Sequence, residues 1–235
     1  MATIRKNSSL IKGILVLFFV SFLISCEKDN TTQHFVTQQA YPDLMCGAYC
    51  IAYYNWLSND KTQSENEAEE RSEVKAIYNQ IKFGDAYNHV TIDQMGTQDL
   101  SATSNPLKIL NFVVGNLNKS NSKLYYDGSN AALIDIKNTI QIHDGALMSQ
   151  YSDDILSTGI PTLQDGQYAI VLFLIGEQSM HWMLCHKKEN EFYLYDPYVG
   201  FAQSIKESQV LGTEPLEHSK KEAKKQSLNS CILIE

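Results

Sequence analysis

Three residues of this chain have the types needed for thiol-based nucleophilic catalysis. Cys46 stands in "PDLMCGAYCIAYYNWL" (42–57), while His181 and Asp196 stand far downstream in "HWMLCHKKENEFYLYD" (181–196). A cysteine attacks as its thiolate, and it needs a base to hold the proton and a third group to orient that base. Asp43 reads as a helix N-cap, which puts Cys46 in the first turn, where the helix dipole and free N–H groups favour negative charge. Gly47 removes a side chain beside the sulfur and so lets a substrate carbonyl approach. Cys50, one turn on, reads as a small apolar core residue.

The register of one hairpin ties the histidine to the aspartate. "HWMLCH" and "EFYLYD" read as strands joined by the polar residues "KKEN" (187–190). A four-residue loop, or a two-residue turn at Lys188-Glu189, sets His186 opposite Glu191 and His181 opposite Asp196. Directly opposed Cβ atoms lie about 4.5–5.5 Å apart, within reach of an imidazole–carboxylate hydrogen bond that fixes the tautomer. Trp182 either belongs to the core or shields that bond from water. A zinc site competes for the same residues, through Cys46 and Cys50 with His181 or Cys185-His186, although structural zinc favours Cys pairs at turns over pairs within a helix.

The elements that must hold these residues follow an α+β order, helices first and antiparallel strands after. Residues 46–57 carry apolar side chains on most faces, as a buried helix does. Val74, Ile77, Tyr78 and Ile81 mark a second helix, and Leu107, Leu110, Val114 and Leu117 a third. Residues 83–106 look irregular, "SKLYYDGS" reads as a short strand, and 131–158 as two short helices broken at Asp144-Gly145. "QYAIVLFLIG" (167–176) is apolar throughout, as a strand covered on both faces must be. "LEHSKKEAKKQS" (216–227) reads as a charged surface helix or loop, and "CILIE" as a terminal strand. No repeat or low-complexity tract interrupts this order.

On the quoted segments the chain resembles the papain clan of cysteine peptidases. "CGAYCIAYY" is similar to the Cys-Gly-x-x-Cys run of bacteriocin-processing (double-glycine leader) peptidases. "HWMLCHKKENEFYLYDPYVG" is similar to the His…Asp-Pro-x-x-Gly segment shared by those enzymes and papain-like bacterial effector proteases. The resemblance implies a papain-like fold, a nucleophile helix followed by a C-terminal antiparallel sheet, with Cys46, His181 and Asp196 as the triad and no cofactor or metal. It also implies an oxyanion-hole glutamine shortly before the cysteine. Gln39 is the candidate and Gln38 its neighbour, each standing further from Cys46 than the family spacing asks, so a one-residue bulge is required. The Cys46 main-chain N–H would be the other donor. A transglutaminase-like acyl transferase uses the same three residue types in the same order, and a papain-like binding lipoprotein without activity is the non-enzymatic alternative.

The ends and the charge bound the setting. Arg5, Lys6 and Lys12 precede the apolar run "GILVLFFVSFLI" (13–24), which is too short to span a bilayer and has the form of an export signal. "LISC" (23–26) resembles the lipobox of bacterial lipoproteins, which implies a signal peptide at 1–25, lipidation of Cys26, a tether at 26–36 and a folded domain at 37–235. The protein is then exported and anchored to the cell envelope through Cys26 alone. With 235 residues and a net charge of −8, the chain lacks the basic face a nucleic-acid partner requires. A peptide or protein is the expected substrate. Cys185 and Cys231 leave a disulfide open.

Overall fold

The computed structural model describes residues 44–59, 67–92, 95–176, 179–216 and 224–235. Cys26, Gln38, Gln39 and Asp43 lie outside the described residues, as do the proposed signal, lipid anchor and tether. Within them the chain is mixed α+β, with helices packed on a mostly antiparallel sheet.

The first helix, α1 (Cys46–Ser58), is apolar all round and buried accordingly. Met45 takes its N-cap position without a side-chain cap, so Cys46 is the first helical residue. The main-chain oxygen of Met45 accepts from Ala48 and Tyr49. The N–H groups of Cys46 and Gly47, ahead of these, have no helical carbonyl to bond. α1 lies between α2 (Glu67–Ile81) and the sheet, where Tyr53 stacks on Tyr195 with ring centroids 3.9 Å apart. α3 (Pro106–Asn116) begins with a proline and is capped by Asn105, whose Oδ1 accepts from the N–H groups of Leu107 and Lys108. α4 (Ala131–His143) and α5 (Gly145–Gln150) meet at Asp144, as the Asp-Gly break predicts. The stretch expected to be irregular holds a small two-stranded sheet, β1 (Val90–Ile92) with β2 (Gly96–Gln98).

The main sheet has seven strands: β3 (Lys123–Tyr125), β4 (Ile155–Leu156), β5 (Tyr168–Ile175), β6 (Ser179–Lys188), β7 (Glu191–Asp196), β8 (Phe201–Ile205) and β9 (Lys225–Ile234). Their spatial order is β4-β3-β9-β5-β6-β7-β8, and only the β3–β4 pair is parallel. β5 is central and apolar because both its faces are covered. Ile170, Leu172, Trp182 and Leu184 face α1 and its neighbouring helices. Val171, Phe173, Met183 and Cys185 face Leu163 and Leu216 on the other side. β8 and the first half of β9 are not evident in the sequence pattern. β9 begins at Lys225, inside the tract expected to be a charged surface helix or loop. Cys185 and Cys231 are buried reduced thiols on strands separated by β5, so no disulfide joins them. Among the described residues no helix is long and apolar enough to cross a membrane.

Candidate active site

The N-terminus of α1, the start of β6 and the end of β7 converge, and they bring Cys46, His181 and Asp196 together. His181 Nε2 lies 2.9 Å from Asp196 Oδ1. The Cys46 side chain also acts on the imidazole, through a hydrogen bond and through its charge. The Trp182 main-chain N–H donates to Cys46 Sγ at 3.3 Å. All three side chains are buried, at 6%, 1% and 1% exposure for Cys46, His181 and Asp196.

The hairpin reaches this result by a register other than the expected one. Its turn is Glu189-Asn190, with φ of 55° and 65°, the two positive values a two-residue type I′ turn requires. Leu184 then faces Tyr195 and His186 faces Tyr193. Continued by one pair, this register sets Asp196 across from Met183, so His181 and Asp196 are diagonal neighbours rather than directly opposed. The turn is displaced by one residue, which moves the pairing by two and keeps both side chains on the same face. The imidazole spans the diagonal.

Lys225 and Tyr198 complete the surroundings of Asp196. Lys225 Nζ, on a side chain buried to 5% residue exposure, lies 2.6 Å from Asp196 Oδ2. The Tyr198 main-chain N–H donates to Oδ1 at 2.9 Å. Burial raises the cost of the Asp196 charge, but the hydrogen bond and charge of His181, followed by those of Lys225, outweigh it. The carboxyl is held well below its usual range. Burial also opposes a charged His181, and the hydrogen bonds to Asp196 and Cys46, with the charges of both, raise its pKa from 6.5 to about 9. The Tyr198 ring stacks on the imidazole, centroids 4.5 Å apart and planes 22° from parallel. Tyr198, not Trp182, therefore covers the histidine. The Trp182 indole is in the core beneath α1, where its Nε1–H donates to the Ser104 carbonyl at 3.4 Å.

Cys50 is fully buried and its thiol is pushed well up by that burial, as expected of a packing residue. Gly47 has a tighter constraint than access to the sulfur. A Cβ there would lie 2.8 Å from Cβ and Oγ of Ser104, so only glycine lets the Ser104 loop reach α1. The proposed zinc ligands do not converge, since Cys185 lies on the far face of the sheet, and among the described residues no three His, Cys, Asp or Glu groups are placed to hold a metal. Sequence patterns missed Lys225, Tyr198 and Ser104. The alternation at the start of β9, with Lys225 and Ser227 inward, was the only available signal for the lysine. No protein-family model, curated protein or solved structure matches the chain.

Proposed function

We propose that the protein is a cysteine hydrolase of papain-like design, most simply a peptidase that cleaves amide bonds through Cys46, His181 and Asp196. One observation carries the reading: a thiol at the first residue of a buried helix is joined through an imidazole to a buried carboxylate. The Cys46 thiolate attacks the amide carbonyl, and the sulfur–carbon bond forms as the carbonyl electrons move onto oxygen. The Cys46 main-chain N–H, with the Gln39 side chain, receives that oxyanion. His181, as imidazolium, then gives its proton to the leaving amine, and the acyl-enzyme is released by water. An amine taking the place of water would make the same site an acyl transferase.

The electrostatics support this cycle. Thiolate, imidazolium, Asp196 carboxylate and Lys225 ammonium alternate in sign and cancel, so the buried chain carries no net charge in its reactive form. With residues 1–25 read as an export signal and Cys26 as the lipidated cysteine of a lipobox, the activity would lie at the cell envelope, on a peptide or protein substrate. An active-site thiol probe tests it. Labelling should concentrate on Cys46, vanish in Cys46→Ala and weaken strongly in His181→Ala. If Cys46 reacts as an ordinary thiol and is indifferent to His181, the chain is a binding module and not an enzyme.

A further inference from the structure

A cavity opens beside Cys46 and His181, between the sheet and the helices that pack on it. Leu107 of α3, Ile136 and Ile140 of α4, Met148 of α5, Leu124 of β3 and Leu172 of β5 supply its apolar wall. Its volume is about 60 Å³, several times the ~10–15 Å³ that one water needs on the same measure. No carboxylate lines it among the described residues. Lys137, its one permanently charged side chain, holds its Nζ over the Tyr126 ring, 5.8 Å from the centroid.

The end of the cavity nearest the thiol is polar. Ser104 lines it, pressed against Gly47, at 3% exposure. Its Oγ has no hydrogen-bond partner among the described residues. That oxygen is itself fully buried, so Ser104 shapes this end of the cavity by packing against Gly47.

We propose that this cavity selects the substrate: it receives an aliphatic group on the acyl side of the carbonyl that Cys46 attacks. The proposal rests on the cysteine-hydrolase reading. The aliphatic group is a linear acyl chain or an aliphatic amino-acid side chain, which share the chemistry the wall recognises. A charged group would surrender its hydration to a wall that offers no opposite charge beyond Lys137 and, at the thiol end, His181.

The test is a series of iodoacetamides, in which the Cys46 thiolate displaces iodide and a sulfur–carbon bond replaces the carbon–iodine bond. The reagents are iodoacetamide, its N-butyl and N-hexyl derivatives, and N-iodoacetyl-leucinamide, each normalised to its rate with free cysteine. Each buried methylene is worth about fourfold, so the N-hexyl reagent should label Cys46 at least about tenfold faster than iodoacetamide. Met148→Trp and Ile136→Phe, which fill the cavity, should erase that gain, so that the N-hexyl reagent and iodoacetamide label Cys46 at equal normalised rates. A larger gain for the leucine reagent identifies a peptide side chain as the natural occupant, and a larger gain for the hexyl reagent an acyl chain; both support the proposal. If iodoacetamide labels Cys46 but chain length has no effect, the cavity proposal is overturned. If iodoacetamide shows no preference for Cys46, the hydrolase reading beneath it falls first.

Discussion

Two histidines on β6 lie one short stretch apart and are driven to opposite states. His181 is raised to about 9, whereas His186 falls to about 4. Both pay for burial. His186 gains no anion in return: it lies between the rings of Tyr168 and Tyr193, and the charge of Lys188 lowers it further. His181 has Asp196 on one side and Cys46 on the other. Burial alone makes a neutral histidine, and burial against Asp196 and Cys46 makes a cation. The difference lies in partners supplied by other strands and by α1, not in the strand the two residues share.

The largest expected effect comes from removing the cation. His181→Ala should lower kcat/KM about 10⁴-fold or more, measured on any peptide the wild type cleaves. Next comes its orienter. Asp196→Asn should cost up to about 10⁴-fold in kcat, and it strands Lys225 in the interior at a cost of about 3–5 kcal/mol in unfolding free energy. Adding Lys225→Met to that variant should restore much of the stability, read by chemical denaturation, and none of the activity. Lys225→Met alone should lose about tenfold in rate, in keeping with one charge-assisted hydrogen bond. His186→Phe, at the other end of the comparison, should leave kcat/KM within about twofold and change stability by about 1 kcal/mol.

The same contrast fixes the pH dependence. The His181 pKa is raised above its ordinary 6.5, so its contribution to stability is complete below about 6.5 and is lost as the pH rises through about 9. The Asp196 pKa is lowered from 3.8, so its contribution is present above about 3.8 and is lost on acidification. Melting temperatures across this range should peak between the two limits, and Lys225→Met should narrow the acidic side.

Much of the site was legible because it depends on local pattern. The apolar run after Cys46 dictates a buried helix, and strand alternation puts His181 and Asp196 on one face whichever even register the hairpin adopts. The exact pairing was not legible, because Glu189 and Asn190 take positive φ without a glycine to announce it. Lys225 was hidden in a run of lysines whose composition suggests solvent, although its Nζ lies 2.6 Å from Asp196. Ser104 sits in a loop with no pattern of its own, and what places it is the missing side chain of Gly47.

The central claim is that His181 is a stable cation between Asp196 and Cys46. Ring ¹⁵N NMR across a pH titration measures it directly, with His186 in the same spectrum as the internal contrast. Both His181 nitrogens should be protonated at pH 7.5, with a midpoint at about 9, while His186 should stay neutral throughout that range and gain its proton only near 4. A His181 that is neutral at pH 7.5, titrating alongside His186, would contradict it.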